Sequence, residues 1–187
     1  LGDVYKRQPL VFGNNDTPGV MLSSAAKEYM KVYGVLVGKK PLIFTNNDSG
    51  YETAIEFKKN GVNPIILDTR SNPSSDIITE AKNLNIEIRF SYVVVAAKGY
   101  KKVKSADIAK ISDDKKELFN IENIECDCIC VSGFWTPSIH LASQSGNKSK
   151  FNEKIDAFVP DKSKQQENTI GSANGIFTLE ETIKDAF

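Results

Sequence analysis

Short apolar runs alternate with amphipathic stretches in the first half of the chain, and this is its clearest pattern. Residues 41–45 form an apolar run that predicts a buried strand, and the polar residues 46–50 predict a turn. Apolar positions at helical spacing predict a helix over residues 51–60. A second apolar run over residues 62–67 predicts a strand that closes on Asp68. Two strands joined through one helix predict a parallel sheet.

The order strand, tight turn, helix, strand, acidic residue is that of the first half of a Rossmann unit. The predicted fold class is therefore α/β, with a Rossmann-like nucleotide-binding domain. Residues 1–8 have neither a helical nor a strand period and are predicted to be a non-native leader. The other predicted elements are helices over residues 20–33, 76–84 and 176–187, strands over residues 10–12, 86–90, 125–131 and 155–159, and a hairpin of residues 92–97 and 100–103.

Composition and charge exclude several classes of partner. The chain has 187 residues, enough for one substantial core and part of a second. Its 24 basic and 24 acidic residues give a formal net charge of zero, so no net field attracts nucleic acid or an anionic membrane. No apolar run approaches the roughly 20 residues that a membrane span needs, and no signal-peptide core is visible. We therefore expect a cytoplasmic protein that binds neither nucleic acid nor a membrane.

Three cysteines, Cys126, Cys128 and Cys130, form a C-x-C-x-C pattern inside an apolar run. Because side chains in a strand have a period of two, all three are predicted to share one face. This spacing suits neither a tetrahedral zinc site nor a disulfide. Buried reduced thiols are the favoured interpretation, and a redox-active group is the alternative.

The polar turn after the first predicted strand lies where a phosphate-binding loop belongs. Amides and the positive end of the helix dipole favour an anion there, so Thr45, Asn46 and Asn47 are candidate cofactor-binding residues. The glycine fingerprint is absent, however, since Asn46 and Asp48 stand at or near glycine positions, and the carboxylate would repel a pyrophosphate. The alternative is that Asn47, Asp48 or Ser49 only caps the helix.

Other candidates lie further along the chain. Asp68 stands where a ribose-binding carboxylate would be, with a surface strand-end aspartate as the alternative. Ser132 and Gly133 follow a buried strand, as in the turn that closes the nucleotide domain of flavoproteins with two dinucleotide domains. A second turn, before the last predicted helix, resembles the flavin-domain turn that faces a phosphate, and it contributes Gly171, Ser172, Ala173, Asn174 and Gly175.

No complete catalytic motif is visible in the sequence. His140, the only histidine, has no partner base or nucleophile nearby and is predicted to be a packed or hydrogen-bonded structural residue. Neither a metal-binding cluster nor a P-loop nor a Ser/His/Asp set can be recognised. We therefore assign no catalytic residue and no metal ligand.

Three stretches resemble the alpha subunit of heterotetrameric sarcosine oxidase. They are PLVFGNNDTPGVMLSSAAKEYMKVYGV (residues 9–35), FTNNDSGYETAIEF (residues 44–57) and VSGFWTPSIHLASQSGNKSKFNEKIDAFVP (residues 131–160). The resemblance covers residues 9–187. In that family an asparagine-rich turn stands in place of the glycine fingerprint, so the asparagines after Thr45 agree with it.

The resemblance implies an FAD/NAD(P)-binding fold of two interleaved lobes, here truncated. Residues 9–37 would end a first-lobe segment, residues 38–137 would form an inserted NAD-like Rossmann domain, and residues 138–187 would return to the first lobe. The family's glycine-rich unit and its tetrahydrofolate-binding region are not found in this sequence. The fragment alone is therefore expected to be inactive.

The resemblance also implies a reaction, namely oxidative demethylation of sarcosine to glycine with peroxide and either methylene-tetrahydrofolate or formaldehyde. It implies NAD in the full-length subunit, the flavins FAD and FMN in the whole complex, tetrahydrofolate as acceptor, and beta, gamma and delta subunits as partners. No cofactor is assigned to the fragment itself. By position, residues 171–175 are expected to face the dinucleotide and are preferred over residues 45–50.

Two alternatives remain open. The first is the alpha subunit of a related amine or proline dehydrogenase, or of a cyanide-forming glycine dehydrogenase. The second is a non-catalytic module that docks partner subunits. Phe134 and Trp135 could serve such an interface if exposed, although burial beside the sheet is the favoured prediction for both.

Overall fold

The structure, a computed structural model, describes residues 5–187, with side chains from residue 7 onward. The strands are β1 (Tyr5–Arg7), β2 (Val20–Leu22), β3 (Pro41–Thr45), β4 (Ile65–Asp68), β5 (Glu87–Phe90), β6 (Tyr92–Lys98), β7 (Ser105–Ile111), β8 (Leu118–Glu125), β9 (Cys128–Ser132), β10 (Trp135–Pro137), β11 (Ser149–Asn152) and β12 (Ala157–Pro160). The α-helices are α1 (Ser23–Tyr33), α2 (Ser49–Lys59), α3 (Asp76–Asn83), α4 (His140–Gln144) and α5 (Leu179–Asp185). The chain divides into a unit of residues 9–133 and a unit of residues 134–187 with the N-terminal segment.

A five-stranded parallel sheet, in the order β2-β9-β3-β4-β5, forms the centre of the unit of residues 9–133. On one side of β3, Thr45 lies opposite Asp68 of β4, and on the other side it lies opposite Ser132 of β9. The strand order therefore reverses between β3 and β9, which makes this the topological switch point of the sheet. The predicted α/β class and parallel sheet are confirmed.

Each face of this sheet carries its own core cluster. Because alternate side chains point to opposite faces, Ile43 packs toward α1, α2 and α3, whereas Leu42 and Phe44 pack on the other face. That other face is covered by an antiparallel sheet in the order β6-β7-β8. Tyr51 and Phe57 of α2 are fully buried on the helical side.

Several predicted elements differ from the structure. Residues 10–12 form no strand, although Phe12 is buried in the core. The predicted hairpin is wrong in its second strand, because β6 pairs with β7 and not with residues 100–103. The predicted last helix is also wrong at its start, because α5 begins at Leu179 after a separate 3-10 helix, Gly171–Asn174.

Helix α1 turns its small residues toward the core. Ser23, Ala26 and Met30 are buried, while the larger Tyr29 and Val32 are 45% and 67% exposed. Thr53 of α2 donates a hydrogen bond to the carbonyl oxygen of Ser23 at 3.0 Å. Helix α1 thus contacts its neighbours through small residues near its N-terminus.

The position of residues 9–37 differs from the predicted domain division. Strand β2 pairs in parallel with β9, and α1 packs on the same side of the sheet as α2. These residues therefore complete the unit that holds residues 38–133, and that unit ends at Gly133. That residues 138–187 return to a first lobe stays a prediction.

All three cysteines are buried free thiols, as predicted, but they do not share one face. Cys128 and Cys130 of β9 point toward the helices, whereas Cys126, which precedes the strand, packs into the opposite cluster. Burial raises the pKa of the Cys126 thiol to about 12. A sulfur hydrogen bond with Cys128, together with burial, raises the pKa of Cys130 well above its ordinary value.

We expect the folded chain to react slowly with Ellman's reagent at about pH 8, because only the thiolate attacks and the raised pKa values keep Cys126 and Cys130 protonated. After unfolding in guanidinium, all three thiols should react within the mixing time. The measurement is the absorbance of released thionitrobenzoate with and without denaturant. A thiol that reacts in the native chain at the rate of free cysteine would support the redox-active alternative.

The unit of residues 134–187 is built on two short antiparallel pairs. Strand β1 pairs with β10, and the Arg7 guanidinium lies 3.7 Å from the centre of the Trp135 ring. Tyr5–Arg7 thus form a strand although residues 1–8 show no strand period, and residues 1–4 lie outside the described residues; that residues 1–8 are a non-native leader stays a prediction. Strands β11 and β12 form the second pair, with the Phe151 and Phe158 rings edge to face at 5.3 Å.

Two predicted side-chain positions in this unit are corrected. Phe134 is 48% exposed, so its predicted burial is wrong, while Trp135 is half-buried against Arg7. His140 is the first residue of α4 and is exposed, so it is not a packed histidine, while a hydrogen-bonded structural role stays a prediction. The neighbouring Leu141 is 81% exposed, which shows that this helix starts at the surface.

Candidate functional site

Four predicted site residues, Thr45, Asn47, Ser132 and Gly133, meet where β3 and β9 end. We call the space between these two strand ends the strand-end crevice. The Thr45 hydroxyl lies 2.7 Å from the carbonyl oxygen of Asn47 and 3.2 Å from that of Ser132, and its single proton can be donated to either. The Asn47 side-chain amide donates to the carbonyl oxygens of Ser132 at 3.1 Å and Gly133 at 2.8 Å. Side chains from the turn therefore tie the end of β3 to the end of β9.

Asn47 also caps helix α2. Its side-chain oxygen accepts from the backbone amide of Ser49 at 3.0 Å and from the Ser49 hydroxyl. Asp48, at the N-cap position, makes no side-chain capping hydrogen bond. The capping alternative is therefore confirmed for Asn47. The turn needs no bound anion to satisfy the Ser49 amide.

The six-residue spacing of a dinucleotide fingerprint can be placed directly on residues 45–50. Thr45 and Asn47 stand at its first and second glycine positions, and Gly50 stands at its third. The residues that replace fingerprint glycines are therefore Thr45 and Asn47, and not Asn46 and Asp48 as predicted. The third position keeps its packing role, because a β-carbon on Gly50 would lie 2.7 Å from the β-carbon of Thr45. Gly50 therefore allows α2 to pack closely against the end of β3, which is the role of the third glycine in the fingerprint.

Gly50→Ala is expected to destabilise the chain by roughly 1–3 kcal/mol, because the added methyl overlaps the buried Thr45 side chain. Gly61→Ala is a suitable control, since its β-carbon would meet nothing within 4 Å, although its positive φ costs something by itself. Urea denaturation followed by circular dichroism measures both. A loss below about 1 kcal/mol for Gly50→Ala would contradict the close packing at Gly50.

Asp68 is fully buried and its carboxylate is already occupied. One carboxylate oxygen accepts from the Tyr51 hydroxyl at 2.7 Å and from Nη2 of Arg70 at 2.8 Å. The other accepts from the Arg70 backbone amide at 2.9 Å and from its Nε at 3.0 Å. Arg70 also pairs with Asp48 at 2.8 Å, which links the turn to the end of β4. The surface-aspartate alternative is therefore wrong, because Asp68 is a core carboxylate.

The electrostatics of this network follow from burial and pairing. Burial raises the pKa of Tyr51, and the hydrogen bond to Asp68 adds to the rise, so the phenol stays protonated as a donor. Burial alone would lower the pKa of Arg70, but its hydrogen bonds to Asp68 and Asp48 outweigh this and raise it. Neither group is placed to exchange a proton near neutral pH.

Sequence reasoning missed Tyr51 and Arg70. Tyr51 was assigned to the helix without a role, and the signal that could have found it is a polar aromatic residue on the inward face of α2. Arg70 lies two residues after Asp68, close enough for its guanidinium and its backbone amide to reach the same carboxylate. The Asn46 side-chain oxygen, by contrast, accepts from the Asn47 side chain at 2.9 Å, and the Asn46 backbone amide donates to the Ser132 carbonyl oxygen at 3.4 Å.

The second predicted site, Gly171, Ser172, Ala173, Asn174 and Gly175, lies in the unit of residues 134–187. Its first four residues form the 3-10 helix, and the Gly171 amide donates to the Asp185 carboxylate at 2.9 Å. Gly175 has a φ of 83° and packs against Ile155 and Val159. A carboxylate therefore lies where an anion would approach Gly171, and the local geometry does not favour a phosphate there.

Among residues 5–187, no group of three or more His, Cys, Asp or Glu side chains is placed to hold a metal ion. None of the described helices is long and apolar enough to cross a membrane.

Comparison with solved structures defines the class of protein: the chain has the α/β fold of FAD- and NAD(P)-binding oxidoreductases. Thioredoxin reductase from T. acidophilum matches with a TM-score of 0.64 at 17% identity, over 91% of this chain and 59% of that chain. L-proline dehydrogenase from P. horikoshii matches with a TM-score of 0.54 at 20% identity, over 90% of this chain and 28% of that chain. These identities show the fold alone. No family model matches the chain.

Sequence comparison then identifies the particular relatives, which are alpha subunits of sarcosine oxidase. The subunit from Corynebacterium sp. strain P-1 is 31% identical over 172 residues, which are 91% of this chain and 18% of the relative. The subunit from Rhizobium meliloti strain 1021 is 34% identical over 155 residues, which are 82% of this chain and 14% of the relative. The chain spans less than a fifth of these relatives, and its resemblance to sarcosine oxidase alpha subunits is confirmed.

Proposed function

We propose that the chain is a segment of an alpha-type subunit in an enzyme that oxidatively demethylates sarcosine. The products would be glycine, hydrogen peroxide and either methylene-tetrahydrofolate or formaldehyde. One observation supports this most strongly, namely identity of 31% to a sarcosine oxidase alpha subunit over 91% of the chain. Beta, gamma and delta subunits are the proposed partners in the intact, cytoplasmic enzyme.

The proposed contribution of this segment is structural. The crevice side chains and Asp68 are committed to internal hydrogen bonds, so we derive no catalytic step from them. We assign the flavins FAD and FMN, which would carry electrons from the amine to dioxygen, and tetrahydrofolate, which would accept the one-carbon unit, to the intact complex. NAD is assigned to the full-length subunit at its glycine-rich unit.

A chimeric enzyme tests this proposal. The matching 172 residues of the Corynebacterium sp. strain P-1 alpha subunit would be replaced by this chain, and the chimera would be produced with the partner subunits of that enzyme. We expect an assembled complex that releases peroxide when sarcosine is added. The measurements are size-exclusion chromatography and a coupled peroxidase assay.

The outcome of the chimera also separates the alternatives. Assembly with peroxide release near that of the unaltered enzyme supports the sarcosine assignment, because it requires this chain to fit the rest of that enzyme and its partner subunits. Assembly and activity only when the same exchange is made in a proline dehydrogenase or a cyanide-forming glycine dehydrogenase would favour those alternatives. A chimera that folds but does not join its partner subunits contradicts the proposal. The matched control is the unaltered enzyme produced in parallel.

A further inference from the structure

A dinucleotide bound by a Rossmann unit crosses the carboxyl ends of the strands at the topological switch point. In the unit of residues 9–133 this point is the strand-end crevice between β3 and β9. The second glycine of the fingerprint has no side chain so that its backbone can approach the pyrophosphate. Any side chain at that position therefore lies in the path of the ligand.

Asn47 occupies this second position, and its side chain points into the crevice. Its amide nitrogen lies 3.1 Å from the Ser132 carbonyl oxygen and 2.8 Å from that of Gly133, so it spans the gap between the two strand ends. On the helix side, its carbonyl oxygen accepts from the Ser49 amide at 3.0 Å. The polar atoms of Asn47 that could face a ligand are thus bonded within the protein.

The groups around Asn47 reinforce this closure. The Ser49 and Ser132 hydroxyls lie 3.0 Å apart across the same gap, and the Thr45 hydroxyl lies 3.2 Å from the Ser132 carbonyl oxygen. Asp48 adds a negative charge beside the turn, which its pairing with Arg70 offsets only in part because both side chains are partly exposed. A pyrophosphate would have to displace several hydrogen bonds and approach a carboxylate.

The ribose end of a dinucleotide meets a second obstacle. In a dinucleotide-binding unit, the acidic residue at the end of the second strand accepts from the ribose hydroxyls. Here that residue is Asp68, which is fully buried and already accepts from Tyr51 and Arg70 through both carboxylate oxygens. Its lone pairs are therefore not offered to a ligand at the surface.

We infer that the strand-end crevice is closed to dinucleotides by the Asn47 side chain, so that the unit of residues 9–133 is a structural module with the fold of a nucleotide-binding domain. Gly50, which serves helix packing, is kept at its fingerprint position, whereas the position that serves the pyrophosphate carries Asn47. The inference goes beyond the proposed function, because it holds whichever amine the intact enzyme oxidises.

Calorimetric titration of the 187-residue chain with NAD tests the closure. We expect no saturable heat that corresponds to a Kd below about 1 mM. If saturable heat is seen, the same titration of the Asn47→Leu and Asp48→Asn variants shows whether NAD binds in the strand-end crevice. Binding that neither substitution changes lies outside the crevice and supports the closure. Binding that Asn47→Leu weakens tenfold or more, or that Asp48→Asn tightens severalfold, overturns it.

Thermal melting of Asn47→Ala and Asn46→Ala tests the bracing role of Asn47 without any ligand. Asn47→Ala removes hydrogen bonds to two carbonyl oxygens and a helix cap, whereas Asn46→Ala removes one partly buried acceptor. We expect Tm to fall by roughly 5–10 °C for Asn47→Ala and by about 2 °C or less for Asn46→Ala. Equal shifts for the two variants would contradict the closure.

If Asn47→Leu does not fold, the titration with NAD is made with Asp48→Asn alone.

Discussion

Asp68→Ala is expected to lower the free energy of unfolding by roughly 2–4 kcal/mol. The substitution removes the acceptor of the buried Tyr51 hydroxyl and leaves it without a partner at that position. Arg70 loses its buried counter-charge but can still pair with Asp48, and it is partly exposed, so its share of the loss is smaller. Urea denaturation followed by far-ultraviolet circular dichroism measures the change.

Two further variants show that this loss comes from the network. Asp16→Ala removes an exposed aspartate from the same unit and should change the free energy of unfolding by no more than about 0.5 kcal/mol. Tyr51→Phe keeps the buried ring and removes only the hydrogen bond, for an expected loss of about 1 kcal/mol. A loss below about 1 kcal/mol for Asp68→Ala would mean that Asp68 is not the buried acceptor described above.

Phe57→Ala is expected to cost more, roughly 3–5 kcal/mol, because it leaves a cavity in the helical-side core. Phe57 is fully buried at the inner face of α2 among residues from the sheet and from α1 and α3. The matched control is Phe119→Ala on β8, where the ring is 46% exposed and the expected loss is below about 1 kcal/mol. Losses of the same size would contradict the assignment of α2 to the core.

The choice of signal matters for these measurements. The only tryptophan, Trp135, belongs to the unit of residues 134–187, so its fluorescence reports on that unit. Helices α1, α2 and α3 all belong to the unit of residues 9–133 and contribute strongly to the far-ultraviolet signal. Circular dichroism is therefore the appropriate probe for variants of Gly50, Phe57 and Asp68.

The sequence predicts the parallel β-α-β unit well because its signals are local. Strand β3 is found at the predicted residues, and α2 begins within two residues of the predicted start, since a continuous apolar run and a helical period determine them. Strand β8 was missed, because its side chains are mostly exposed and its pairing with β7 is irregular near Asn120, which has a φ of 51°.

The candidate site was predicted as a set of residues but not as an arrangement. Thr45, Asn47, Ser132 and Gly133 were all named, and the structure brings them together. The role of Asn47 could not be predicted, because its partners are 85 and 86 residues away and reach it only when β9 pairs with β3. The burial of Asp68 likewise depends on Tyr51 and Arg70 closing over it from α2 and from the residues that follow β4.

Nuclear magnetic resonance of the Asn47 side-chain amide, in the isotope-labelled 187-residue chain, tests directly whether Asn47 closes the strand-end crevice. Comparison with Asn47→Asp assigns the two Nδ2 protons. We expect these protons to exchange slowly with solvent, because they are bonded to the carbonyl oxygens of Ser132 and Gly133, and we expect added NAD not to shift them. Exchange as fast as that of a free amide, or a saturable shift on adding NAD, would contradict the closure.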